Sequence, residues 1–253
     1  MSFDPFGDLK ERGYLCNTAG LHEPAAVKEF EHRAFLDKLD QAVANLTEIE
    51  RLSYQDVLRT HQTLFEDVYP WAGQDRATVA PDIAVTKGEV LFAHPGQAQR
   101  VVEYALQMGN GAAVMAQKPG EVMGYLAYGH PFLDGNGRTI MVVHSVLAER
   151  AGISIDWSTT DKSAYLNALA KEIDQPGRGY LDAYLKPFVR EAVGETHLAA
   201  ELAKAPGLDG GQGETNKILG KVDEPQVQEA YRQHELERSR SADRNRDGGR
   251  GGR

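Results

Sequence analysis

Apolar residues recur at helical spacing through most of this chain. In residues 23–43, EPAAVKEFEHRAFLDKLDQAV, the positions Val27, Phe30, Phe35, Leu36 and Leu39 fall at roughly helical spacings, which predicts an amphipathic helix. The pattern continues over 47–65, TEIERLSYQDVLRTHQTLF, where Ser53 stands as an N-cap before YQDVL. It resumes over 98–110, 119–130, 159–174 and 180–193. Pro119 falls near the start of its segment, where a missing N–H costs a helix nothing. Residues 139–152, TIMVVHSVLAERAG, are apolar on nearly every face, so this helix is expected at the centre of its domain.

One stretch departs from that period. Within PDIAVTKGEVLFAHPG (81–96) two short β-leaning runs, IAVT and VLF, flank Lys87-Gly88, which predicts a hairpin. Just before it, EDVYPWAGQDR (66–76) carries Pro70 and Gly73 among aromatics and ends a helix. A single hairpin in an otherwise helical chain makes the expected class mainly α.

Beyond residue 195 the pattern fades. APGLDGGQGETNK (205–217) reads as a Gly-rich linker and DEPQVQEAYRQHELERSR (223–240) as a short polar helix. The end, RSRSADRNRDGGRGGR (238–253), has six Arg against two Asp and no apolar residue larger than Ala. Such a tail cannot bury a core and is expected to be disordered. The organisation predicted is therefore an N-terminal helical segment (1–49), a main domain (50–194) and a C-terminal linker and tail (195–253).

Charge narrows the partners. The 253 residues carry a formal net charge of −9, and because the tail is basic the body is more acidic still. That disfavours a specific nucleic-acid partner, which would need a basic footprint. No run reaches the roughly 18 apolar residues of a membrane span, and MSFDPFGDLKERG lacks the basic start and apolar stretch of a secretory leader. Cys16 is the sole cysteine, which fits a reducing compartment. A cytoplasmic location is expected, with secretion as an effector through the tail as the alternative.

The candidate chemistry is concentrated in HPFLDGNGR (130–138), directly ahead of the apolar helix. Unpaired N–H groups at a helix start, together with the helix dipole, form an anion site. Gly135 and Gly137 let the backbone approach a phosphate, and Arg138 offers a forked permanent charge. Asp134 beside such a cradle suits Mg²⁺. His130 can take a proton from a hydroxyl. Base, metal ligand and phosphate cradle within nine residues point to phosphoryl or nucleotidyl transfer.

HPFLDGNGR also resembles the Fic-family motif H-P-F-x-[D/E]-G-N-G-R at every defined position. LFEDVYPWAGQDR (64–76) resembles that family's aromatic bend and TKGEVLFAHP (86–95) its flap, so the resemblance spans about residues 50–190. It implies a Fic-fold helical bundle with one β-hairpin flap, and a protein adenylyltransferase that transfers AMP from ATP to a Ser, Thr or Tyr hydroxyl of a target protein. It further implies His130 as general base, Asp134 as the Mg²⁺ ligand, and Gly135, Asn136 and Gly137 as the anion hole. Arg138 would contact phosphates, and Phe132 would anchor the loop. Thr86, Lys87 and Gly88 would align the target by strand addition. The setting implied is a toxin or effector, with a separate antitoxin as a candidate partner. Two alternatives stay open: transfer of another group (UMP, GMP, phosphate or phosphocholine), and a binding module without catalysis.

Two departures from the family pattern concern regulation and the nucleotide. Where the extended motif has a second Arg, this chain has Met141, which carries no charge. No Glu is followed by Gly or Asn, so the inhibitory motif [S/T]-x-x-x-E-[G/N] is missing. No internal Glu switch is therefore expected. His144, one turn beyond Met141, reads as a satisfied buried polar residue. Tyr69, Trp71 and Phe92 read as bend and core packing, and His61, His94, His130 and His144 lack metal-site spacing.

Overall fold

Helix α7 (Asn136–Arg150) lies at the centre of the bundle, with twelve of its 15 residues buried, as its all-round apolarity predicts. The computed structural model describes residues 15–206 and 216–248, side chains of 242–248 excepted. Around α7 pack α1 (Pro24–Thr47), α2 (Tyr54–Phe65), α5 (Ala112–Gln117) and α6 (Pro119–Gly129), and α4 (Pro95–Gly109) lies along α6. A single turn, α3 (Arg76–Val79), precedes strands β1 (Ile83–Lys87) and β2 (Val90–Leu91). These two strands form the expected hairpin, with Gly88 at φ +59° in the turn.

Local chemistry sets the boundaries. The Ser53 N–H and hydroxyl both donate to the Asp56 carboxylate, at 2.7 and 2.6 Å, so α2 starts where the N-cap was expected. Helix α6 starts on Pro119 and ends at His130. After α7, β3 (Ile153–Ile155) pairs with β4 (Val189–Glu191). The helix expected over 180–193 is therefore shorter: α9 (Tyr180–Leu185) gives way to a single 3-10 turn over Lys186–Phe188 that contains Pro187, and the chain then continues as β4. Proline removes a helical N–H and clashes with the preceding turn. Helix α8 (Lys162–Asp174) packs against α6 and α9.

The segment beyond 195 is built into the same body. Helix α10 (Glu195–Leu202) packs on α1 and α7, and the Val193 and Gly194 N–H groups donate to the buried Glu149 carboxylate. Strand β5 (Lys217–Lys221) joins the hairpin in the order β2-β1-β5, and α11 runs over Pro225–Gly248. A polar helix was expected over 223–240, and no structure from 238 onward. The helix extends through Gly248, and Arg238, buried against aromatic rings, holds it to the body. Residues 207–215 of the Gly-rich stretch and 249–253 of the tail lie outside the described residues. Among the described residues no helix is long and apolar enough to cross a membrane.

Candidate active site

The loop between α6 and α7 brings His130, Asp134, Gly135, Asn136, Gly137 and Arg138 together. His130 closes α6 in the left-handed conformation, φ +40° and ψ 58°, and among the described residues it is the one non-glycine with positive φ. That conformation costs about 1–3 kcal/mol and persists only where the surroundings enforce it. Arg76, fully buried, supplies the enforcement. Its Nε donates to the His130 carbonyl at 2.7 Å, its Nη2 to the Ala93 carbonyl at 2.9 Å, and its own N–H to the Pro131 carbonyl at 2.7 Å.

The rest of the loop is fastened from inside. Phe132 is fully buried, and its ring stacks on His61 at 3.8 Å. The Gly73 N–H donates to His61 Nδ1, so Nε2 carries the proton and donates to the Asp134 carbonyl at 3.1 Å. Burial holds His61 neutral, with its pKa lowered to about 3. The Asn136 side chain folds back, accepting from the Phe132 N–H at 2.9 Å and donating to its carbonyl at 2.7 Å. Asn136 thus shapes the loop with its side chain, so that only its backbone would be left for an anion.

Gly135 (φ +74°) turns the chain into α7, and a Cβ there would sit 2.6 Å from Phe65 Cε2. A Cβ on Gly137 would meet no heavy atom within 4 Å. No side chain caps this end of α7. Its first-turn N–H groups have no intrahelical acceptor, and the space beside Gly137 is open. This is the geometry of an anion cradle.

His130 is buried with its ring stacked on Phe92 at 3.6 Å, and its Nε2 has no hydrogen-bond partner. Burial, then the charges of Arg76 and Lys87, push its pKa well below the ordinary histidine value, and Asp134 and Asn216 only partly oppose them. The imidazole is thus held neutral and able to accept a proton. The charge of Lys87, on the flap, is felt at His130, whereas Thr86 is paired to Leu91 on one side and Lys217 on the other.

Helix α1 contributes two charges that no motif announced. Lys28 Nζ lies 3.1 Å from Asp134 Oδ2 and 3.1 Å from Glu31 Oε2. Glu31, fully buried, meets Arg138 Nη2 at 3.1 Å and accepts from the Tyr69 hydroxyl at 2.5 Å. Arg138 also lies 4.7 Å from the Phe65 ring centroid. Burial opposes ionisation of Asp134, but Lys28, Arg138 and the Gly135 N–H together hold its carboxyl well below the usual range. Against the expectation of no internal Glu switch, Glu31, a glutamate outside any inhibitory motif, pairs with Arg138. It escapes any motif because its neighbours Phe30 and His32 bear no resemblance to the inhibitory pattern. A Lys and a Glu three apart on a helix read in sequence as a solvated face.

The remaining candidates have structural places. Met141 is buried in the core, so the position of a second Arg is filled by an apolar side chain. His144 pairs through Nε2 with the Pro119 carbonyl at 2.7 Å. His94 caps α4, accepting from the Gly96 N–H. Tyr69 and Trp71 are buried and stack at 4.3 Å, so the aromatic bend is packing, and Phe92 packs on His130 itself.

Residues 51–148 match the model of the Fic/DOC family. The chain is 28% identical over 176 residues to "Protein adenylyltransferase VbhT" of Bartonella schoenbuchensis, covering 66% of this chain and 35% of that protein. It is 28% identical over 166 residues to "Probable protein adenylyltransferase y4lH" of Sinorhizobium fredii, covering 62% of this chain and 82% of that protein. The match to VbhT thus spans about a third of that relative's length. Among solved structures the fold is similar to BepC of Bartonella tribocorum, determined with bound AMPPNP: TM-score 0.59, 19% identity, 72% of this chain and 95% of that one. It is likewise similar to the N-terminal Fic domain of a VirB-translocated Bep effector of Bartonella quintana, determined with bound ADP: TM-score 0.60, 21% identity, 73% and 94% coverage. Residues 51–148 thus match the Fic/DOC family by sequence, and the chain has the fold of Fic domains.

Proposed function

We propose that this chain is a protein adenylyltransferase, moving AMP from ATP to a Ser, Thr or Tyr hydroxyl of a target protein. The observation that carries the reading is His130: a neutral, buried imidazole whose Nε2 is unpartnered, on the same short loop as an uncapped helix N-terminus. Two relatives named as protein adenylyltransferases support the reaction type.

The chemistry needs each part. His130 Nε2 takes the hydroxyl proton as the oxygen attacks the α-phosphorus. The new O–P bond forms in line as the bond to the bridging oxygen breaks, and pyrophosphate leaves with its electron pair. The α7 N–H groups at Asn136, Gly137 and Arg138, with the Arg138 guanidinium, hold the phosphate oxygens. The residues present fit Mg²⁺. Asp134 is one ionised carboxylate beside a phosphate cradle, and Mg²⁺ is usually held by one or two carboxylates plus substrate phosphates. When bound it would neutralise phosphate charge, with Lys28 displaced from Asp134. Thr86, Lys87 and Gly88 would present the flap edge to the target.

Incubation with α-labelled ATP, Mg²⁺ and a cell lysate tests the reading. Label should reach protein with wild type and not with His130→Ala. A second reading, transfer of another phosphate-containing group, is favoured by the buried Met141, which leaves no charge where a second Arg would stand. Labelling from γ- but not α-labelled ATP, or from UTP, GTP or CDP-choline alone, would replace AMP transfer with it.

A further inference from the structure

Strand β1 has two edges, and this chain fills both. One pairs with β2, closing the hairpin, and the other pairs antiparallel with β5. Ile83 faces Lys221, Ala84 faces Gly220, Val85 faces Ile218 and Thr86 faces Lys217, with an irregularity between Ala84 and Val85. The seat is reinforced beyond the ladder. The Val222 N–H donates to the Asp82 carbonyl at 2.8 Å. Ala84 and Leu91 of the hairpin form a small apolar cluster with Val227 and Tyr231 of α11. Arg238 lies 3.5 Å from the Tyr128 ring centroid and donates to the Ile173 carbonyl, clipping α11 beside the end of α6.

One residue ahead of β5, the chain enters the active site. Asn216 Nδ2 donates to the Leu133 carbonyl, within the loop itself, at 2.8 Å. Its side chain also interacts with the His130 imidazole, yet Nε2 is left without a hydrogen-bond partner. An extended segment on the flap edge that delivers one side chain to the base is what an acceptor polypeptide must provide. Asparagine fits that place but has no hydroxyl for a neutral imidazole to deprotonate.

We propose that Asn216–Lys221 is a built-in pseudosubstrate, with β5 on the flap edge that a target would pair with and Asn216 in the place of the acceptor residue. The proposal rests on the AMP-transfer reading and deepens it. A target must displace β5, and it docks as an extended segment antiparallel to β1. Its hydroxyl residue lies one position before the residue facing Thr86. An apolar side chain follows at the place of Ile218, which packs against the main core.

Two full-length variants test this with α-labelled ATP, Mg²⁺ and a cell lysate. Asn216→Ser supplies the missing hydroxyl. Label should then appear on the introduced hydroxyl at position 216, mapped by peptide mass spectrometry, and vanish in Asn216→Ser combined with His130→Ala. The bond formed joins the introduced Oγ to the α-phosphorus, the proton goes to His130 and pyrophosphate leaves. Ile218→Pro breaks the ladder and should raise His130-dependent labelling of lysate proteins several-fold, with faster hydrogen exchange at the β1 amides. Should the proline variant misfold, the serine variant decides alone. His130-dependent labelling of lysate proteins with no label at position 216 of the serine variant would overturn the pseudosubstrate and leave AMP transfer standing. No His130-dependent label in any arm would overturn both.

Discussion

Lys28 Nζ sits 3.1 Å from Asp134 Oδ2, and three residues along the same helix Glu31 sits 3.1 Å from Arg138. One helix face thus places a cation on the carboxylate that would hold Mg²⁺ and an anion on the guanidinium that would hold phosphate. Both ligands must compete with an internal ion of their own sign. Lys28→Met should lower the Mg²⁺ concentration needed for half-maximal binding of a non-hydrolysable ATP analogue by several-fold. Glu31→Gln should tighten analogue binding several-fold while lowering stability by roughly 1–3 kcal/mol, since Tyr69 loses a charged acceptor in the core. Titration calorimetry and thermal melts read both. Weaker binding in Glu31→Gln would mean that the glutamate orients Arg138 instead of occupying it.

Two glycines two residues apart should behave oppositely. At Gly135 an alanine must adopt φ +74° with its Cβ 2.6 Å from Phe65, so Gly135→Ala should cost at least about 2 kcal/mol. At Gly137 a Cβ meets nothing within 4 Å. Gly137→Ala should melt like wild type and yet lose nucleotide affinity, because the added methyl projects into the cradle. Unchanged binding in Gly137→Ala would argue that phosphate lies elsewhere.

Arg76 acts through the backbone it holds. Replacing it with Met leaves the buried His130 and Ala93 carbonyls unpaired, a loss of roughly 2–4 kcal/mol. The strained His130 conformation then relaxes. Labelling should fall in kcat far more than in KM for ATP, since the cradle on α7 is held separately by Asn136 and His61. An equal loss in both parameters would contradict that division.

The pH profile follows from His130. Its pKa lies well below 6.5, lowered by burial and by Arg76 and Lys87, and the neutral form is the one that accepts a proton. Labelling should therefore stay flat as pH falls through 6.5, with its acid limb lower. Lys87→Ala should move that limb upward. Stability is lost in the same direction. His61 and His144 are held neutral by burial, with values lowered to about 3 and about 4. Between those values and 6.5 the unfolded chain binds protons that the native chain does not. The stabilisation is complete above 6.5 and drains as pH falls, so melting temperature should decline steadily below pH 6.5.

What the sequence determined by itself was whatever lies close together along the chain. The nine residues of HPFLDGNGR form one turn and one helix start, so closeness along the chain brings His130, Asp134 and the Gly-Asn-Gly stretch together, although the strained His130 conformation is held by Arg76. The apolar periods likewise marked α1, α2, α4, α6 and α7, and the Ser53 cap, because 3.6-residue spacing and capping are local effects. The tertiary structure decided what came from afar. Lys28, Glu31, Arg76 and Asn216 lie tens of residues from the motif, and each belongs to a residue type that is normally solvated. Only packing of α1 on α7, and of α3 beneath the loop, strips water from those charges and turns them toward the site. Strand β5 shows the same limit. KILGK is five residues with two Lys and a Gly, too polar and too short to read as a strand, because a strand's hydrogen bonds exist only once an edge is there to receive them.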